Sequence, residues 1–265
     1  MIRVSALHIY PLKSARGLSV ERWPVDTFGL TGDRRFMVVD PQGAFMTQRR
    51  HPLMALLEVE IIGQDLRLSY PGRPSFVVKA PRLGHSQQVE IWGESVPGES
   101  VGEAADSWLS LALGTPCHLV HMAESTERPV DPNYASLAAR VSFADGFPFL
   151  LLSEASLDDL NGRLEAPVTM ARFRPNIVVS GTQPFEEDTW REIQIGGIRF
   201  EVVKPCARCV MTTVEPSTGE KGKEPMRTLS RYRQQGTNVL FGQNIIHRGT
   251  GTLSVGQSVE VLATS

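Results

Sequence analysis

Short apolar or alternating runs, each closed by a turn signal, recur along this chain and restrict it to a fold built mainly of strands. Val4 to Tyr10 is apolar and precedes Pro11. Arg35 to Asp40 ends at Pro41-Gln42-Gly43, and Ala44 to Thr47 follows, which predicts a hairpin. Leu56 to Ile62 and Asp65 to Ser69 flank Gly63-Gln64, a second hairpin signal. Ser75 to Ala80 and Gln88 to Trp92 continue the pattern, and Phe147 to Ser153 has the length of a buried strand. Arg199 to Val203, Leu240 to Ile246 and Ser258 to Leu262 return to strands. Helices are fewer. Gly102 to Leu113 carries Ala, Trp and Leu on a helical period and stops at Gly114. Ser153 to Leu164 opens on an N-cap serine and sets Leu157, Leu160 and Leu164 on one face. Arg227 to Gln235 reads as a short helix. The expected fold class is mainly β with a few helices (α+β).

Composition narrows the function classes. The chain has 265 residues, 41% hydrophobic and 21% charged, with a formal net charge of -2. That length supports one large core or two smaller ones. The near-neutral balance gives no reason to expect nucleic acid or an anionic membrane as partner. Three cysteines do not make a secreted disulfide framework. The first ten residues read as a strand, not a signal peptide, and no apolar run approaches a membrane span. A cytoplasmic protein is the expectation. There are no internal repeats, and the polar stretch from Ala123 to Ala135 is the expected boundary between two halves.

The segment Cys206-Ala-Arg-Cys209 carries the chemistry. Lys204 and Arg208 put positive charge beside the thiols, which favours the thiolate. The spacing allows a redox pair, half of a zinc site, or one metal-ligating cysteine beside a bystander. Structural zinc usually takes four Cys or His ligands, and Cys117 is the only further cysteine. A thioredoxin-like pair opens a helix, whereas Cys209 is followed by the β-rich run Val210 to Val214. Free cysteines are also commonly buried as small hydrophobes. The flanking cations argue against burying the whole loop.

Four polar clusters stand at strand mouths: Lys13-Ser14 after Tyr10, Asp33-Arg34-Arg35, Thr47 to His51, and Phe173-Arg174-Pro175-Asn176. Taken singly, each reads as solvated surface. Taken together, they suit an anionic ligand carrying phosphate. No glycine-rich phosphate loop is present.

Several blocks resemble the MOSC family. They are Tyr10-Pro-Leu-Lys-Ser14, Gly32-Asp-Arg-Arg-Phe-Met37, Phe149 to Ser156, Phe173 to Gly181 and Cys206 to Val214. They occur in family order, and the likeness runs from about Val4 to Val261. Within the family, the chain is similar to the amidoxime-reducing components of mitochondria and their bacterial relatives.

The resemblance implies a MOSC N-terminal β-barrel domain over residues 1–120 and a MOSC domain over 121–265. A molybdenum cofactor, the molybdenum–pyranopterin dithiolene, would lie between them. Cys209 falls on the position of the molybdenum ligand and catalytic centre. Lys13, Ser14 and Arg34 fall on positions that hold the pterin and its anionic groups, and Arg174 and Asn176 on positions near its phosphate. Arg49 is implied as a further contact, and Arg208 as shaping the ligand loop. The family's Ser-Asp-Thr-Ser-Pro segment reads Ala144-Asp-Gly-Phe-Pro148 here, so only backbone contacts remain at Gly146 and Phe147.

The implied activity is the reduction of small N-hydroxylated compounds: amidoximes, hydroxylamines and N-hydroxylated base analogues. A soft thiolate suits a metal already bound by sulfur. Three cysteines, two of them already engaged, cannot hold an iron–sulfur cluster as well. Electrons would come from a separate ferredoxin-like or flavin reductase protein. A monomer without membrane attachment is expected. The alternative is a molybdenum cofactor or sulfur carrier that uses Cys209, because the family also includes the C-terminal part of molybdenum cofactor sulfurases.

Overall fold

The computed structural model describes residues 1–63, 65–79, 85–135 and 139–265. Strands dominate and helices are few, as the sequence predicts. The largest sheet has nine strands among the described residues. Its main path runs Val259–Thr264, Trp190–Ile195, Ile198–Arg208, Asn238–Arg248, Phe149–Ser153, Ile177–Ser180, Arg3–Ile9, Leu18–Val20. Gln234–Gln235 adds a short arm on Asn238–Arg248.

Pairings in this sheet are antiparallel except one. Phe149–Ser153 and Ile177–Ser180 run parallel, in the register Leu151 to Ile177. A parallel pair needs a crossover, and the helix Glu154–Asn161 lies in that connection. Ser153 caps it by accepting from the Ser156 amide.

The first strand joins this sheet. Arg3–Ile9 pairs with Ile177–Ser180, with Leu7 opposite Ile177. Arg22–Asp26 likewise pairs with Gly251–Ser254 near the other end of the chain. Alternate residues fill the core beneath: Leu7 and Ile9, Phe149 and Leu151, Ile193 and Ile195, Ile198 and Phe200. The period of two puts each set on one face of its strand.

A second core also draws on the first half of the chain. The meander Glu58–Ile62, Asp65–Tyr70, Arg73–Val78 buries Val59, Leu66, Leu68 and Val78 with Ala105 and Leu109 of the helix Glu103–Leu113. Gly114 ends that helix in the left-handed conformation at φ 69°, where a side chain would be strained. Phe36–Val39 pairs with His118–His121 beside it. Gln64 of the expected second turn and Ala80 of the expected strand lie outside the described residues.

Three local expectations are corrected. Ala44 to Thr47 is not a full hairpin strand. Phe45 bridges only Val39, and the chain then turns as Arg50 and His51 amides donate to Thr47 O. The run after Cys209 is not extended. Val210–Thr213 is a 3-10 turn, because the Thr212 and Thr213 hydroxyls donate back to Cys209 O and Val210 O at 3.0 and 2.7 Å. The helix expected from Arg227 is confined to Met226–Leu229, after which the chain folds back so that Leu240 N donates to Arg233 O.

Candidate functional site

The strand Ile198–Arg208 ends at the sheet margin and delivers Cys206, Arg208 and then Cys209 to one place. Two register shifts, between Val202 and Lys204 and between Pro205 and Ala207, twist its last third out of regular pairing. Cys209 and Cys206 are both half-buried, while Cys117 is buried elsewhere beneath the Ser110 hydroxyl. Burial pushes the Cys117 thiol up.

The cation beside Cys209 is not a sequence neighbour. Arg49, from the turn after Thr47, donates through Nε to Cys209 Sγ at 3.2 Å. Arg208 turns to Cys206 instead, Nη1 to Sγ at 3.1 Å, and its Nη2 donates to Phe173 O at 2.7 Å. Lys204 leaves the pair altogether and lies over the Tyr134 ring.

Lys13 follows the first strand and is buried. Its Nζ donates to Phe143 O at 2.7 Å and pairs with Asp145. Burial lowers the Lys13 pKa, and the Asp145 carboxylate opposes that shift. Asp145 experiences the reverse balance. Desolvation by the surrounding cleft walls raises its pKa although the side chain is 60% exposed, but Lys13, Arg49 and the Trp92 indole N–H outweigh it and hold the carboxyl well below its usual range.

Tyr10 is the platform on which two guanidinium groups rest. Arg34 and Arg174 lie 4.1 and 4.2 Å from its ring centroid. Its hydroxyl donates to Pro175 O at 3.0 Å. Burial pushes the phenol up to about 12, so it stays protonated. Burial, reinforced by Arg34, lowers Arg174 to about 10, which leaves it cationic at neutral pH. Arg34 also pairs with buried Asp33 and donates to Asn176 Oδ1 at 3.0 Å. Asn176 Nδ2 in turn donates to His8 O, and Arg174 Nη1 to Ala15 O. The Phe173 to Asn176 segment is thereby fastened to the first strand and the loop after it.

All eight residues singled out in the sequence line one cleft: Lys13, Ser14, Arg34, Arg49, Arg174, Asn176, Arg208 and Cys209. The cleft measures about 850 Å³ out to its open mouth. Five cationic side chains face a single carboxylate, Asp145, along its lining. Phe147, Leu150 and Phe173 give it an apolar wall. Trp92 and Met211 also line it and were not anticipated as site residues. The dipeptide Trp92-Gly93 between two strand-like runs is the sequence signal for Trp92.

Backbone strain collects at the same place. Among the described residues, non-glycine positive φ occurs at Ser14, Arg34, Trp92, Arg174 and Phe185, and the first four line the cleft. Each such residue costs about 1–3 kcal/mol and persists where its surroundings over-determine it, commonly at functional sites.

Residues 1–116 match the MOSC N-terminal beta barrel domain, and residues 138–260 match the MOSC domain. Mitochondrial amidoxime-reducing component 1 of Homo sapiens is 37% identical over 279 residues, covering 98% of this chain and 82% of that protein. The chain belongs to the MOSC family.

Two further relatives show the breadth of the MOSC family. Mitochondrial amidoxime reducing component 2 of Rattus norvegicus is 36% identical, covering 97% of this chain and 82% of that protein. Molybdenum cofactor sulfurase of Oryza sativa subsp. japonica is 32% identical over 91% of this chain, which spans only 32% of that longer protein. Among the described residues, this MOSC chain has no cluster of three or more His, Cys, Asp and Glu able to hold a metal. None of its described helices is long and apolar enough to cross a membrane.

Proposed function

We propose that this protein is a molybdenum cofactor-dependent oxidoreductase that reduces N-hydroxylated compounds, using electrons from a separate ferredoxin-like or flavin reductase protein. The convergence of the half-buried Cys209 thiol with five cations in one cleft carries the reading. Relatives named as amidoxime-reducing components that match nearly the whole chain, and one named as a molybdenum cofactor sulfurase that matches 91% of it, support it.

The residues present fit the cofactor. Cys209 offers one soft sulfur ligand, which suits a metal that brings its own dithiolene sulfurs. The cationic lining suits a phosphate-bearing pterin. Arg208 Nε is buried with no partner in the protein, so the cleft wall carries a donor with unused capacity. Lys13, Ser14, Arg34, Arg174 and Asn176 would hold the pterin and its phosphate, and Cys209 the metal.

When bound, the cofactor supplies two-electron redox chemistry. The chain supplies position and field. Arg49 fixes the Cys209 sulfur by a charge-assisted contact. Tyr10 keeps its proton on Oη, committed to Pro175 O, and acts as a platform for Arg34 and Arg174. Asp145 remains ionised and keeps the buried Lys13 cation paired. The apolar wall of Phe147, Leu150 and Phe173 limits water beside the reacting group. In the same reading, residues 1–120 and 121–265 form the two MOSC parts, and the protein is a cytoplasmic monomer.

Molybdenum content per chain tests the proposal, measured on protein from a host that makes the cofactor. Near-stoichiometric metal together with reduction of an amidoxime is the expected result. A folded protein without molybdenum and without reductase activity overturns it. The likeness to molybdenum cofactor sulfurases favours a second reading, a cofactor or sulfur carrier. A persulfide on Cys209 in metal-free protein would select that reading.

A further inference from the structure

One hairpin tip does not suit its own turn. Strands Ser86–Ile91 and Glu94–Ser100 pair with Ile91 opposite Glu94, leaving a two-residue loop of Trp92 and Gly93. Both residues have positive φ, 56° and 80°. Loops of this kind favour Asn-Gly or Asp-Gly, because a bulky side chain crowds the left-handed region. Tryptophan stands there against the preference of the turn, at the rim of the cleft that contains Cys209.

The surroundings hold the ring but do not cover it. The Arg49 guanidinium lies 4.2 Å from the indole centroid. Phe45 meets the indole edge to face at 4.7 Å. The indole N–H donates to Asp145 Oδ1 at 3.3 Å. Trp92 nevertheless stays 42% exposed, far more than a ring placed to fill a core. Arg49 is the same residue that donates to Cys209 Sγ. A fixed, open indole therefore stands two contacts away from the cleft thiol.

We propose that Trp92 is a specificity-determining residue, its open indole surface forming a subsite that stacks the flat aromatic part of a substrate. The inference rests on the reductase reading and names the substrates it favours: planar aromatic N-hydroxylated compounds over aliphatic ones. A pinned ring loses little freedom on binding, and every flat ring offers a π-face to it. An aliphatic substrate has no such face and gains nothing from the subsite.

Benzamidoxime and acetamidoxime carry the same reacting group with and without a ring, and they serve as the probes. Trp92→Asn suits the turn and removes the platform, whereas Trp92→Phe keeps a ring. Turnover, molybdenum per chain and tryptophan fluorescence are measured for each protein. Trp92→Asn lowers the benzamidoxime-to-acetamidoxime ratio of kcat/KM about tenfold, within the range of aromatic stacking. Trp92→Phe restores most of that ratio, and molybdenum content does not change. Benzamidoxime quenches fluorescence of the unaltered protein but not of Trp92→Phe, and acetamidoxime quenches neither. An unmoved ratio at full molybdenum overturns the subsite. Equal losses on both substrates also overturn it, because Trp92 would then act only by holding Arg49. Quenching by benzamidoxime alone, in protein that lacks molybdenum and turnover, supports the subsite while overturning the reductase reading.

Discussion

Arg49 and Cys209 are 160 residues apart in the chain, yet the Arg49 guanidinium Nε donates to the Cys209 sulfur at 3.2 Å. Arg49→Met, which removes this contact to the sulfur, should slow alkylation of Cys209 by iodoacetamide severalfold in cofactor-free protein. Arg49→Lys should recover part of the rate. Mass spectrometry of the modified peptide against time checks this, and an unchanged rate in Arg49→Met would remove Arg49 from the site chemistry.

The two cleft cysteines should separate cleanly. Cys209→Ala is expected to lose molybdenum and reductase activity together. Cys206→Ala, which loses the Arg208 contact to sulfur, should retain the metal. Elemental analysis beside a turnover assay decides it, and an active Cys209→Ala protein would sink the ligand assignment.

Gly17 has no room for a methyl group. A Cβ there would sit 2.3 Å from Tyr10 Cε1, against the ring that supports Arg34 and Arg174. Gly17→Ala should cost about 1–3 kcal/mol of overpacking. At roughly 2–4 °C per kcal/mol for a chain somewhat shorter than this one, the fall in Tm should be several degrees. Cofactor retention should fall as well. Calorimetry and metal analysis on the same samples check both effects, and an unchanged Tm would show that the ring can move freely.

Asp145→Asn should destabilise by about 1–2 kcal/mol, a figure kept small because the carboxylate is 60% exposed while Lys13 is buried. The pH dependence has a definite sign. The folded carboxyl lies below its ordinary value of 3.8, so its stabilisation is complete above that pH and is lost as pH falls further. The Tm gap between variant and unaltered protein should stay constant from about pH 5 to pH 8 and narrow below about pH 3.8. A gap that widens in acid would contradict the pairing.

Strand periodicity was readable because it is local. The runs at Val4, Leu56 and Asp65 carry their own pattern and their own turns, and the structure forms strands there. The side chains singled out for the site were also visible, because cations and thiols at strand mouths are unusual in sequence. Their mutual geometry was not. The approach of Arg49 to Cys209, and the turning of Arg208 to Cys206, depend on how distant strands meet. Tyr10 read as an apolar strand end, because nothing local marks a ring that two guanidinium groups will cover. Val210 to Thr213 misled for a different reason: β-branched residues favour strands, but the two threonine hydroxyls found local carbonyls first.

The order of strands in the large sheet also bears on biosynthesis. Asn238–Arg248 sits between Ile198–Arg208 and Phe149–Ser153, so a central strand of the sheet is made after both of its neighbours. Arg3–Ile9, made before all of these, lies farther along the same path, beyond Ile177–Ser180. Until Asn238–Arg248 is made, the strand bearing Cys206 has only one of its two sheet neighbours, Trp190–Ile195. The wall of the cleft that carries Cys206 is therefore completed late, by a strand made after it.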